Sequence, residues 1–135
     1  MMIDYVFYIK ASPLGNTAFK IGISALKHIG SRLGTYQNTY GPTYEERFEQ
    51  VWVGTEQEVR ELERLLKIKF RHNMAGRTRG YTEWVNNISY VELFSEIEAT
   101  IKGLGLDIVI PLGVTKLFEH DIEQLTQAYL VEANS

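Results

Sequence analysis

Two short runs of β-forming residues, Tyr5-Val-Phe-Tyr-Ile9 and Phe19-Lys-Ile-Gly-Ile-Ser24, constrain this chain more than any other feature. Between them lies Ser12-Pro-Leu-Gly-Asn-Thr17, a string of turn formers. Aromatic and β-branched residues favour a pleated, half-buried surface, so residues 4–11 and 18–24 are expected to pair as a hairpin with a loop longer than the tightest kind. Ser24 is placed to cap a short helix through Arg32 to Thr35, which Gly30 and Gly34 weaken or end.

The rest of the chain follows from the same kind of spacing. Tyr36 to Glu46 is a polar loop containing Gly41-Pro42. Arg47 to Gly54 turns continuously apolar at Val51 to Val53, which predicts a third strand in the centre of a small sheet. Thr55 with Glu58 three residues on has the spacing of a capping box, and Val59, Leu62, Leu66 and Phe70 recur on one face of the helix that follows. Residues 71–80 form a loop closed by Tyr81-Thr-Glu-Trp-Val85. Ser89 to Lys102 has a helical pattern ended by Gly103 and Gly105. Leu106 to Leu112 is expected to add a short strand ended by Pro111, and Thr115 to Val131 a last amphipathic helix. That helix either packs back on the domain or pairs with a second copy. The expectation is an α+β domain, with residues 1–100 as its main module and 101–135 as a C-terminal extension.

Composition narrows the class. The 135 residues include no cysteine, which removes disulfides, thiolate metal sites and cysteine nucleophiles. No run approaches the length of a membrane span, and the start of the chain has no basic stretch followed by an apolar one, so a cytoplasmic location is expected. The net charge is −3, but from Arg64 to Thr82 the chain carries Arg64, Lys67, Lys69, Arg71, Arg77 and Arg79 with no acid among them. Such a strip could track a phosphate backbone. Its bland alternative is a solvated basic loop.

Three separated residues then suggest chemistry. Glu63 is one hard oxygen ligand, and Mg²⁺ commonly takes only one or two protein carboxylates while keeping its waters. Arg32 can bridge phosphate oxygens with its fork of donors. Lys20, between Phe19 and Ile21 on an apolar strand, can support or activate an attacking water. Tyr36, four residues after Arg32, would share its helical face. Each has a bland counterpart: Lys20 as a strand lysine reaching solvent, Glu63 as an i, i+4 partner of Lys67. His28, His72 and His120 lack metal-ligand spacing.

The set resembles the GIY-YIG endonuclease superfamily, and within it the phage and restriction-type branch whose second signature is written KIG. Tyr5-Val6-Phe7 resembles the first signature and Lys20-Ile21-Gly22 with Ser24 the second. Arg32 resembles the family arginine, Tyr36 the histidine-or-tyrosine position, Glu63 the metal-binding glutamate, and Thr82-Glu83-Trp84 the closing motif. The resemblance spans roughly residues 4–86. It implies a three-stranded antiparallel sheet flanked by helices and metal-dependent hydrolysis of DNA phosphodiesters with Mg²⁺ or Mn²⁺, RNA being left open. Lys20, Arg32, Tyr36 and Glu63 would be catalytic, with Glu63 on the metal. Lys67, Lys69, Arg71, Arg77 and Arg79 would contact nucleic acid, and Phe7, Ser24, Glu83 and Trp84 would support the site. One departure stands out: the family tyrosine that ends the first signature is Phe7 here, which has no hydroxyl. Tyr5 shares the face of Phe7 on an alternating strand and is the expected substitute. The alternative is a nuclease-derived binding or inhibitory module that has lost turnover.

Overall fold

The computed structural model describes residues 3–11, 18–32, 48–73, 84–111 and 122–128. The expected hairpin is present as β1 (Tyr5–Ala11) and β2 (Ala18–Ala25), paired antiparallel from Tyr5 opposite Ala25 to Ala11 opposite Phe19. A 3₁₀ segment, Leu26–Arg32, follows directly. After it come β3 (Gln50–Gly54), helix α1 (Glu56–Lys69), β4 (Trp84–Asn86) and helix α2 (Tyr90–Leu104). Residues 122–128 are helical and are called α3.

The architecture is α+β, with one four-stranded antiparallel sheet in the order β3-β1-β2-β4. Two expectations change. The sheet has four strands rather than three, because Trp84–Asn86 joins the edge of β2 opposite Ala18 to Lys20. The third strand lies at the sheet margin beside β1, not in its centre. It is nevertheless buried along its whole length, and that explains its continuously apolar sequence. The stretch from Leu106, expected as a strand to Leu112, contributes among the described residues a bridge in which Val53 and Val109 exchange two backbone bonds of 2.8 and 3.1 Å. Asp107 N–H is diverted to the Glu58 carboxylate at 2.6 Å, and Pro111 has no N–H to extend a ladder.

Alternation on β1 divides the core in two. Phe7 and Ile9, with Phe19, Ile21 and Trp52 across the ladders, bury against Val59, Leu62 and Leu66 of α1 and Leu93, Ile97 and Ile101 of α2. Phe7 and Trp52 meet edge to face with centroids 5.7 Å apart. The Trp52 indole N–H donates to Glu98 Oε1 at 2.7 Å, tying α2 to the sheet margin. On the opposite face, Val6, Tyr8, Val51 and Val53 pack with Leu26 and Ile29 of the 3₁₀ segment, Phe48, and Ile122 and Leu125 of α3. The apolar face of α3 is therefore used within the chain.

Both main helices carry N-caps, the one at Thr55 as its spacing predicts and the one at Ser89 seen only in the structure. Thr55 Oγ accepts from Glu58 N–H at 3.4 Å, and Ser89 Oγ from Glu92 N–H at 3.2 Å. Gly103 lies inside α2, and Gly105 ends it in the left-handed region at φ 63°. Ser24 does not cap the 3₁₀ segment. It is a residue of β2 whose hydroxyl donates to Ala25 O at 2.9 Å.

Candidate functional site

Register decides which of the expected site residues share a surface. Lys20 stands opposite Lys10, and Gly22 opposite Tyr8, so both belong to the face of the 3₁₀ segment. Phe7 stands opposite Ile23, and Trp52 faces it across the other ladder, on the face covered by α1 and α2. The residue expected to carry the family hydroxyl is thus a fully buried core phenylalanine on the other side of the sheet from Lys20.

Tyr8, one position on, faces the side of Lys20. Its ring lies across Gly22 so closely that a Cβ added there would come within 2.5 Å of the Tyr8 hydroxyl oxygen. This explains the glycine of the Lys20-Ile21-Gly22 run on steric grounds. Tyr8 and Lys20 occupy diagonal cross-strand positions, which lie roughly 7–8 Å apart and within reach of long side chains. The tyrosine is buried, tilted against Phe48 at 4.9 Å. Lys10, opposite Lys20, is only 2% exposed, and its ammonium stands 5.8 Å from the centre of the same Phe48 ring.

Tyr5 lies at the far end of the hairpin, paired with Ala25 and Gly54. Lys20 is five ladder positions away and on the other face, a separation on the order of 17 Å. Tyr5 accepts a bond from Arg60 Nη2 at 3.0 Å and lies 5.3 Å beneath its guanidinium. Its expected role beside Lys20 therefore has no geometric basis.

Glu63 sits on α1, the helix that covers the face opposite Lys20. Its side chain is 16% exposed and pairs with Lys67 Nζ at 3.6 Å, one turn on. Arg32 ends the 3₁₀ segment on the other side of the sheet and is placed by its backbone alone. The elements bearing these two residues approach at the edge of β2. Among the described residues β4 pairs only with Ala18 to Lys20, leaving Ile21 to Ala25 open along that edge. There, His28 of the 3₁₀ segment and Arg60 of α1 line one pocket with Tyr5, Ile23, Ser24 and Ala25. Arg32 lies four residues after His28, and Glu63 one helical turn after Arg60.

The basic strip is partly engaged within the protein. Lys67 pairs with Glu63, and Lys69 crosses to Glu96 on α2. Arg71 donates to His72 Nε2 at 3.4 Å. Tyr36, Arg77, Arg79 and Glu83 lie outside the described residues, as does His120. Trp84 is seen as the β4 residue opposite Lys20, again by its backbone alone.

Glu63 offers one largely shielded carboxylate, a hard oxygen donor of the kind Mg²⁺ takes together with its waters and substrate phosphates. Lys67 would have to yield its contact. Among the described residues no group of three or more His, Asp or Glu side chains gathers. No helix among them is long and apolar enough to cross a membrane.

His28 and Arg60 were not foreseen as site residues. Arg60 could have been, since it precedes Glu63 by three on one helical face. His28 carries no comparable signal, because only the tertiary approach of its segment to α1 gives it a neighbourhood. Comparisons with protein-family models, with curated proteins and with solved structures returned no match.

Proposed function

We propose that this chain is a metal-dependent endonuclease of the GIY-YIG type, hydrolysing phosphodiester bonds of DNA. The observation that supports the reading is the pocket at the open edge of β2 lined by His28 of the 3₁₀ segment and Arg60 of α1, because those elements also bear Arg32 and Glu63. Hydrolysis needs positive charge near the developing phosphorane charge and a group to orient water. Arg32 takes the first role, its fork directed to the non-bridging phosphate oxygens. The resemblance gives Lys20 the second, orienting the water that attacks phosphorus as the bond to the leaving oxygen breaks, although Lys20 stands on the sheet face opposite α1 and outside the pocket at that edge. Glu63 is the ligand for Mg²⁺ or Mn²⁺, which when bound polarises the phosphate.

The phenol on the face of Lys20 is that of Tyr8 rather than Tyr5. This supports an active enzyme, since Phe7 need not supply a hydroxyl to a surface it does not face. The Glu63–Lys67 ion pair favours a second reading, a nucleic-acid-binding module in which the carboxylate remains bound to lysine and no metal enters. Incubation with duplex and branched DNA in Mg²⁺ or Mn²⁺ separates the two. Cleavage that Glu63→Ala abolishes is expected; absence of cleavage with either metal, the wild type and Glu63→Ala behaving alike, sinks the enzyme.

A further inference from the structure

The pocket between Tyr5 and Arg60 is not used by Lys20 in the proposed reaction, and it has its own recognisable chemistry. Its volume is about 280 Å³, just under the usual range for small-molecule sites, so it suits one compact group rather than a whole nucleotide. Its walls offer the Arg60 guanidinium, the His28 imidazole and the Tyr5 and Ser24 hydroxyls around the apolar Ile23 and Ala25.

Arg60 is already held in place. Its Nη2 donates to the Tyr5 hydroxyl at 3.0 Å, and its Nε to Glu56 Oε2 at 3.3 Å. Those bonds occupy two of five N–H donors and fix the plane of the fork over the Tyr5 ring. A guanidinium fixed in this way loses little freedom on gripping a second planar array of oxygens. Imidazole can donate from a ring nitrogen in either protonation state.

We propose that this pocket binds a backbone phosphodiester of the nucleic acid next to the one being cut, with Arg60 as the principal donor and His28 as the second. The proposal rests on the nuclease reading. It deepens it by assigning the groups that set the position of the strand, since Arg60 precedes Glu63 by one turn of α1 and His28 precedes Arg32 in the 3₁₀ segment. Glu56, the acidic neighbour of Arg60, opposes the bound anion and moderates its grip.

The test is equilibrium binding of the full chain to a short DNA duplex in EDTA, where no cleavage occurs, repeated over a series of salt concentrations. Arg60→Ala is expected to weaken binding about tenfold and to reduce the salt slope by about one. Arg60→Lys recovers part of the loss, His28→Ala weakens binding less than Arg60→Ala, and Glu56→Gln tightens it. Thermal unfolding of each variant verifies the fold. Wild-type affinity and slope in Arg60→Ala overturn the proposal, whatever His28→Ala does. So does dependence of the Arg60 effect on a 5′-terminal phosphate, because the pocket would then hold a chain end. If the wild type never cleaves yet Arg60→Ala still loses affinity, the nuclease reading falls and the phosphate site stands. If the wild type cleaves and Arg60→Ala binds normally, the reverse holds.

Discussion

The two faces of the sheet are built from the same strands and differ in what they bury. Towards α1 and α2 the sheet presents Phe7, Ile9, Phe19, Ile21 and Trp52, a mainly apolar surface that also buries Gln50 opposite Ile9 and is closed by two long capped helices. Towards the 3₁₀ segment it presents Val6 and Val53 together with Tyr8, Lys10, Lys20 and Ser24, and two of these, Lys10 and Ser24, are buried polar residues. Burying polar groups is costly unless they are partnered, so a fold retains them where they serve something beyond cohesion. The first face supplies most of the cohesion, and the pocket at the edge of β2 draws residues from both faces, Tyr5, Ile23 and Arg60 from the first and Ser24 and His28 from the second.

The largest effect that could break this contrast is at Trp52, fully buried and bonded to Glu98. Trp52→Ala is expected to cost about 3–5 kcal/mol in a denaturant melt. A loss under 1 kcal/mol would mean that the helical face is not the main source of stability. Next is Phe7→Tyr, which adds a hydroxyl to a fully buried apolar site. It should destabilise by about 1–3 kcal/mol and leave nuclease activity no higher. Increased cleavage by Phe7→Tyr would put a hydroxyl at that position within reach of the reacting groups and overturn the register argument.

Gly22→Ala tests the other side. The new methyl collides with the Tyr8 ring, and a loss of about 1–3 kcal/mol is expected. In the Gly22→Ala, Tyr8→Ala double variant the two costs should be less than additive, because the collision is gone. Additive costs would place the Tyr8 ring elsewhere. Smaller still is Thr55→Ala, which removes the α1 cap for about 1 kcal/mol and should leave DNA affinity unchanged.

The smallest effect concerns Tyr90, whose phenol is pushed above its ordinary value of 10.0 by burial, with Glu49 adding to the shift. A folded-state value above the unfolded one gives stability that is complete below about pH 10 and is lost as pH rises through the folded value. Tyr90→Phe should therefore flatten the alkaline limb of the stability profile. An unchanged limb would place that ring in water.

Much of the scaffold was legible because its signals are local. The hairpin, the Thr55 capping box and the Val59, Leu62, Leu66 stripe each depend on residues within a turn or two of one another. Strand order was not legible. The apolar run at Val51 to Val53 signals burial on both faces, but a margin covered by residues around Val109 is buried just as a central strand is. The expectation that Tyr5 stands with Lys20 was open for a related reason, since the register puts Tyr5 and Phe7 together on the face opposite Lys20. Alternation says which residues share a side, and only the cross-strand partners Tyr8 and Gly22 say which side carries Lys20. His28 and Arg60 became visible as neighbours only when two elements on opposite faces met past the end of the ladder.

The Val53–Val109 bridge has a consequence for handling the protein. Among the described residues these two bonds are what tethers a segment to the outer flank of β3. A polypeptide shortened ahead of Leu106 would leave that flank's donors and acceptors unsatisfied, the condition under which strands recruit strangers. Such a fragment also loses Ile108, Ile122 and Leu125 from the two cores, so its clumping would report uncovered native surface and not a native seam between two molecules.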